Sequence, residues 1–172
     1  MPKKIKRVNY KRISYVLLPL IIVIAFAFIL LNIKNTSEYS VPLEGFEQVE
    51  ISVPSQNVVA LTYGCLQLTA TTSTEQAQSI LEALQEKESL RPNTHDLMKY
   101  AFEEYNIRLL AVKIEGVTDD IFFSKLVLQQ GNKVLYLDSR PSDAIALALR
   151  MNKPIYIKKT LLIEYAKNTC EE

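Results

Sequence analysis

The chain has 172 residues, of which 48% are hydrophobic and 23% are charged, a composition that predicts one globular domain with a substantial core. Six of the 20 basic residues and no acidic residue lie within residues 1–33, so residues 34–172 carry a net charge of −5 and are not expected to grip nucleic acid strongly and non-specifically. The single histidine, His95, and the two cysteines, Cys65 and Cys170, exclude a multi-histidine metal site, a cysteine-rich zinc site and a disulfide-rich scaffold.

Residues 13–33 form an uncharged and largely apolar stretch. As a helix rising about 1.5 Å per residue, they span the roughly 30 Å hydrocarbon core of a bilayer. Residues 32–37 offer only a poor cleavage site, which favours an uncleaved anchor over a cleaved signal peptide. Because basic flanks stay inside, we expect a single-pass membrane protein with a basic cytoplasmic tail, residues 1–12, and an extracytoplasmic domain. In that compartment the two cysteines either pair or remain free thiols.

A short polar linker, residues 34–44, precedes a domain predicted to span residues 45–168. Alternating polarity predicts short strands, and apolar residues spaced i, i+3, i+4 and i+7 predict helices. In chain order, the predicted strands are 49–53, 58–63, 66–71, 110–114, 122–128, 134–137 and 155–157. The predicted helices are about 74–88, about 94–106, 142–151 and 160–167.

Adjacent antiparallel strands mixed with helices indicate an α+β fold. We therefore expect a single domain with a mixed or antiparallel sheet and about four helices, preceded by one transmembrane helix. The Gly131-Asn132 pair predicts a hairpin turn between two of the strands. The helix predicted at 142–151 is apolar on all sides, which places it either in the core or in an interface of a homo-oligomer.

Two segments place an arginine, a proline, a hydroxyl group and an aspartate at the start of a predicted helix. The first motif is Arg91-Pro92-Asn93-Thr94-His95-Asp96, and the second motif is Asp138-Ser139-Arg140-Pro141-Ser142-Asp143. Proline suits a first helical turn, polar side chains cap its free N–H groups, and the helix dipole favours a nearby carboxylate. One interpretation is therefore helix capping with local ion pairs. The other is an anion site, in which arginines and helix N–H groups hold a phosphodiester.

In the anion-site interpretation, the aspartates are candidates to bind a divalent ion or to orient a water molecule. His95 is a candidate general acid or base, and equally a surface residue or a partner of Asp138. A Ser-His-Asp hydrolase built on Ser142 and His95 is disfavoured, because no Gly-x-Ser-x-Gly turn accompanies it. The four isolated glycines also exclude a glycine-rich phosphate loop.

The two motifs, with Pro154-Ile155 after the second, resemble the bifunctional nuclease family over about residues 46–167. The resemblance implies an α+β domain and, for plant members, nuclease activity on DNA and RNA. One departure is the stretch 66–74, which lacks the glycine that relatives carry in a Pro-Ile-x-Ile-Gly-like strand and turn. The positions that match the family motifs are Arg91, Pro92, Thr94, His95, Asp96, Asp138, Arg140, Pro141, Ser142, Asp143 and Arg150.

The leading hypothesis is a membrane-anchored nuclease that hydrolyses DNA, RNA or a small phosphodiester with Mg²⁺ or Mn²⁺. The predicted phosphate-binding residues are Arg91, Thr94, Arg140, Ser142 and Arg150, and the predicted catalytic residues are His95, Asp96, Asp138 and Asp143. Asp138 and Asp143 are also the predicted metal ligands. The alternative is a non-catalytic binding or assembly module, in which both motifs only define the fold. A sensor domain outside the cytoplasm is a third interpretation, carried by the predicted anchor alone.

Overall fold

The computed structural model describes residue 19 and residues 21–28, 39–87, 90–119 and 121–170. The chain divides into two units, Met1–Glu38 and Tyr39–Glu172. In the first unit, helix α1 covers the described residues 21–28. The predicted tail lies outside the described residues, as does much of the predicted membrane segment. Across the described parts of the chain, no helix is long and apolar enough to cross a membrane, so the anchor has no support here and stays a prediction.

The second unit is an α+β domain, as the sequence predicts. Its strands are β1 (Phe46–Gln48), β2 (Glu50–Ser55), β3 (Val58–Tyr63), β4 (Leu66–Thr71), β5 (Arg108–Thr118), β6 (Ile121–Gln130), β7 (Lys133–Ser139), β8 (Ile155–Lys158) and β9 (Lys167–Asn168). Its helices are α2 (Thr74–Leu84), α3 (Thr94–Glu104), α4 (Pro141–Arg150) and α5 (Lys159–Tyr165).

The strands form two sheets, where the sequence predicted one. The first has the order β1-β8-β5-β6-β7 and is mixed, because β5 and β8 run parallel while its other pairs run antiparallel. The second has the order β2-β3-β4-β9 and is entirely antiparallel. Helix α4 packs against α2, α3 and the central strands of the five-stranded sheet, so it lies at the centre of the domain.

Helix α4 is buried, in agreement with its uniformly apolar sequence. Five consecutive residues, 144–148, are each no more than 2% exposed. A helix surrounded by protein in this way needs apolar side chains on every face. Of the two predicted locations, core and oligomer interface, the structure therefore shows the core; association between copies of the chain stays a prediction.

Two predicted helices end earlier in the structure than the sequence pattern indicates. Helix α2 ends at Leu84 and helix α3 at Glu104, each followed within two residues by a residue of positive φ. These are Glu86, with φ of 51°, and Asn106, with φ of 53°. A left-handed residue at this position turns the chain out of the helix.

A disulfide joins Cys65 to Cys170 across 105 residues, with their Cα atoms 5.3 Å apart. The bond fastens the end of the described chain to the turn between β3 and β4, where β9 also pairs with β4. The alternative of two free thiols is therefore wrong. No local pattern in the sequence distinguishes the two possibilities, because the pairing depends on how β9 reaches β4.

Reduction of this disulfide is expected to lower the free energy of unfolding by roughly 2–4 kcal/mol, because it frees a long loop in the unfolded chain. Urea unfolding of the full chain with and without a phosphine reductant measures the difference. A Cys65→Ala/Cys170→Ala variant is the control, since its unfolding midpoint should not respond to the reductant. Equal midpoints for the oxidised and reduced wild-type chain would contradict the prediction.

Candidate functional site

The first motif begins helix α3 with a reciprocal cap. The side-chain oxygen of Asn93 accepts hydrogen bonds from the backbone N–H groups of His95, at 2.9 Å, and Asp96, at 3.1 Å. In return, Asp96 Oδ2 accepts from the N–H of Asn93 at 2.9 Å. The cap holds His95 and Asp96 in the first turn of the helix and leaves the second oxygen of Asp96 for another partner.

Arg150, in the last turn of α4, provides that partner. Its side chain is only 7% exposed, and its Nε lies 2.6 Å from Asp96 Oδ1. Its Nη1 donates to the backbone carbonyls of Ser79, at 2.9 Å, and Ala146, at 3.0 Å, while Nη2 lies 4.0 Å from Glu82 Oε2. Arg150 thus binds helices α2 and α3 to α4 through its own side chain.

The pairing keeps Asp96 ionised. Burial raises the pKa of this carboxyl. The hydrogen bonds from Arg150 and from the N–H of Asn93 lower the pKa by more than burial raises it, so the net shift is downward. Both oxygens of this carboxylate are bound, one by a buried guanidinium and the other by a cap N–H, while 22% of the side chain is exposed. The geometry therefore assigns Arg150 and Asp96 to an internal ion pair, and their predicted phosphate-binding and catalytic roles stay predictions.

His95 lies between helices α2 and α4, with 16% of its side chain exposed. Its Nδ1 is 3.0 Å from the Oγ of Ser79, and its Nε2 is 3.5 Å from Asp143 Oδ1. Burial, followed by the charge of Arg150, lowers the pKa of His95 below its usual 6.5, although Asp143 opposes the shift. The ring is therefore neutral at pH 7, and a neutral ring can take up a proton.

The second motif provides the carboxylate next to this imidazole. Arg140 precedes helix α4 as its N-cap residue. Its guanidinium donates two hydrogen bonds to the carboxylate of Asp143, from Nε at 2.6 Å and from Nη2 at 3.0 Å. Asp143 therefore contacts both Arg140 and His95. The side chain of Arg140 is 69% exposed, so it combines a fixed position with access to solvent. We refer to Ser79, His95, Asp143 and Arg140 as the His95 cluster.

The structure brings together part of the predicted site and separates the rest. His95, Asp143 and Arg140 lie in one cluster, with Asp96 and Arg150 packed against it. The remaining predicted residues lie elsewhere: Arg91 precedes α3 and Thr94 is its first residue, and both are exposed. Asp138 is exposed on β7 opposite Lys125, and Ser142 lines a neighbouring cleft. The suggested partner of His95, Asp138, is thus replaced by Asp143, and the hydroxyl group at the imidazole is that of Ser79.

Ser79 was not among the predicted site residues. It lies on the apolar face of helix α2, beside Ile80, and is 9% exposed. A hydroxyl group on a buried helix face needs a hydrogen-bond partner. A serine on the apolar face of α2 therefore predicts a buried hydrogen bond at this position. The sequence did not identify the partner, because the imidazole comes from a different helix.

One cleft borders the cluster, and a second lies at the neighbouring Arg150–Asp96 pair. A polar groove of about 350 Å³ contains Asp96 and Arg150 together with Lys99 from α3. A mainly apolar cleft of about 300 Å³ is lined in part by Arg140, Pro141 and Ser142. Within the parts of the chain described, no three Asp, Glu, His or Cys side chains are grouped to hold a metal ion. The donor set therefore does not fit a preformed metal site, and metal binding by Asp138 and Asp143 stays a prediction.

Replacing Asp143 with asparagine is expected to lower the pKa of His95 further, because the carboxylate favours the protonated ring. As the only histidine, His95 gives a single imidazole signal in an NMR titration of an untagged chain. Asp138→Asn is the matched control and should leave the pKa unchanged. An unchanged or raised pKa in Asp143→Asn would contradict the contact between His95 Nε2 and Asp143 Oδ1.

The same shift fixes the sign of a pH effect on stability. Since the pKa of His95 is depressed in the folded chain, its contribution is fully present above the unfolded value of about 6.5. The contribution is lost as the pH falls below that value, because the unfolded chain then binds more protons.

The family model for the Bifunctional nuclease domain matches residues 66–169, more than half of the chain, and this range contains both motifs and the whole His95 cluster. The chain belongs to the bifunctional nuclease domain family. The family inferred from the two motifs is thereby confirmed.

Among its relatives are an uncharacterized protein from two strains of Mycobacterium tuberculosis and plant proteins named bifunctional nuclease. The mycobacterial protein is 32% identical over 91 residues, which are 52% of this chain and 54% of the relative. Bifunctional nuclease 1 of Oryza sativa subsp. japonica is 31% identical over 85 residues, 48% of this chain and 26% of the relative. The chain thus spans about half the length of the mycobacterial relatives and about a quarter of the plant one.

Proposed function

We propose that this bifunctional nuclease domain hydrolyses phosphodiester bonds in DNA or RNA at the His95 cluster. The observation that carries the proposal is a neutral imidazole, held by Ser79 and Asp143, beside an exposed arginine of fixed position. The name of the plant relatives supports the reaction class.

Each member of the cluster has a chemical task in this proposal. Arg140 binds the phosphate group and stabilises the charge that develops on its oxygens. His95 accepts a proton from the attacking water, and Asp143 stabilises the resulting imidazolium ion. Ser79 fixes the tautomer: its oxygen accepts the hydrogen bond of Nδ1–H, so Nε2 is the nitrogen that takes up the proton and then faces Asp143 as N–H⁺. Because a guanidinium and a carboxylate supply the charges, no step depends on a metal ion, and a need for Mg²⁺ or Mn²⁺ stays a prediction.

Cleavage of short labelled single-stranded DNA and RNA by the purified full chain tests the proposal, with Mg²⁺, Mn²⁺ or EDTA in parallel. Arg140→Ala/Asp143→Ala should abolish cleavage while the protein stays folded. The matched control is Glu47→Ala/Lys159→Ala, which removes a partly exposed ion pair of 3.6 Å outside both motifs. Equal cleavage by both variants would attribute the activity to a contaminant and overturn the proposal.

A non-catalytic binding or assembly module is the second candidate, and the Arg150 contacts favour it. Much of the two motifs is engaged in caps and ion pairs that hold three helices together. Altering a purely architectural motif lowers the stability of the protein, whereas altering a catalytic group lowers its activity and leaves its stability unchanged. Melting temperature and cleavage rate measured on the same variants therefore separate the two candidates.

We also propose that residues 13–33 anchor the chain in a membrane, with the domain outside the cytoplasm. Support comes from the uncharged stretch, the six basic residues before it and the Cys65–Cys170 disulfide, since disulfides persist in oxidising compartments. Alkaline carbonate extraction of membranes should leave the full chain in the pellet, and protease added to intact cells with a permeable outer layer should cleave the domain. Release by carbonate would overturn the anchor.

A further inference from the structure

The proposed hydrolysis gives no role to the partly enclosed cleft of about 300 Å³ beside Arg140. Paired residues of β3 and β4 form one wall. A pair of residues from β5 and β8, in the five-stranded sheet, forms the other wall. These pairs are Val59–Ala70, Leu61–Leu68 and Ile114–Ile157. Because directly opposed residues share a face of their sheet, the two walls are continuous apolar surfaces.

The size of this cleft sets it apart from a packing defect. Protein interiors contain few voids larger than a water molecule, whereas small-molecule sites usually enclose about 300–1,000 Å³. Wall residues such as Leu68 and Ile157 are no more than 2% exposed and are held by the hydrophobic core. These wall residues are therefore part of the packed core.

The lining of the cleft also includes polar residues and one cationic side chain. These are Thr71, Thr72, Gln76, Ser142 and Arg140, and the hydroxyl group of Thr72 already donates to the amide oxygen of Gln76. Phe122 adds a half-buried aromatic ring. Apolar walls accept the faces of a flat ring, hydroxyl and amide groups can bond its edge, and the arginine matches an attached anion.

We propose that this cleft binds a nucleobase of the substrate while Arg140 binds the adjacent phosphate. The inference rests on the proposed nuclease function and adds to it a base-binding pocket at the second motif. An aliphatic anion would use the walls and Arg140 but would make no use of the hydroxyl groups of Thr71 and Ser142, which disfavours it.

The test uses binding to the untagged full chain, without turnover. Uridine 5′-monophosphate, inorganic phosphate and octanoate are titrated separately by calorimetry and by NMR of isoleucine methyl groups. The nucleotide should bind more tightly than either other probe and should shift the methyl signals of Ile114, Ile145 and Ile157, which line the cleft. The signal of Ile163, which is exposed on α5, should not move.

A substitution that fills the cleft gives the second measurement. Ala70→Phe places a ring between the walls and should weaken nucleotide binding by about tenfold or more, since the base is then excluded. Ala101→Phe, the same change at an exposed position of α3, is the matched control and should bind as the wild type does. The wild-type methyl shifts decide the question if Ala70→Phe does not fold.

Three results would overturn the inference: nucleotide and phosphate binding with equal affinity, octanoate binding more tightly than the nucleotide, or a folded Ala70→Phe variant that keeps full affinity. None of them requires the nuclease proposal to fail, because cleavage is measured separately. Conversely, a chain that binds the nucleotide in the cleft but cleaves nothing would retain the pocket and lose the hydrolysis.

Discussion

Replacing Arg150 with alanine is expected to lower the free energy of unfolding by about 3–5 kcal/mol, the range for breaking a buried ion pair by removing one partner. The side chain is 7% exposed and makes its contacts to three helices inside the domain. Without it, Oδ1 of Asp96 and the carbonyl of Ser79 lose this donor, and Asp96 keeps only the N–H of Asn93. Each such orphaned group keeps its desolvation cost.

Urea unfolding of the full chain, followed by circular dichroism, measures this loss. Arg91→Ala is the matched control, because that arginine belongs to the first motif but is exposed, and its removal should change stability by no more than about 0.5 kcal/mol. Arg150→Ala/Asp96→Ala should be less destabilised than the sum of the two single variants, since the double variant leaves no unpaired charge. If Arg150 served phosphate binding alone, its removal would leave the unfolding midpoint unchanged.

The local parts of the fold were predictable from the sequence because they depend on near neighbours. Helices α2 and α3 begin where the capping residues and apolar spacing place them, and the uniformly apolar sequence of α4 correctly predicts its burial. The hairpin at Gly131 also follows from one dipeptide, and its φ of 55° is the conformation that glycine tolerates. None of these features requires knowledge of how distant segments pack.

The site was less predictable because its contacts join separate elements. Ser79 and His95 come from two helices, and the pairing of Cys65 with Cys170 depends on the short strand β9. The division of the strands into two sheets has the same origin, since local alternation does not specify a partner. A single buried hydroxyl indicates that a partner exists without indicating which residue it is.

The two aspartates proposed as metal ligands illustrate the same limit. Asp138 and Asp143 lie only five positions apart, yet Asp138 belongs to β7, opposite Lys125, and is exposed. Asp143 lies in the first turn of α4 and is gripped by Arg140. Successive residues of a strand point to opposite faces of the sheet. Whether the carboxylates of Asp138 and Asp143 meet therefore depends on the face to which the last residues of β7 point. Sequence spacing alone does not contain that information.

Replacing His95 with glutamine is expected to lower kcat for phosphodiester hydrolysis by about 10²–10⁴, the usual contribution of a positioned general base. Glutamine can keep hydrogen bonds to Ser79 and Asp143, but it cannot accept a proton in this pH range. The wild-type rate should fall as the pH drops through the lowered pKa of His95, because protonation removes the base, and the variant should lack this acid limb.

Steady-state cleavage of a short oligonucleotide at several pH values measures both effects, and the melting temperature of each variant controls for folding. Ser79→Ala is the companion variant: it leaves the imidazole in place but removes the hydroxyl at Nδ1, so its loss of rate should be smaller than that of His95→Gln. A folded His95→Gln variant with wild-type kcat would exclude His95 as the base. Another group would then have to act as the base, and the role of the imidazole would be to link α2 and α4.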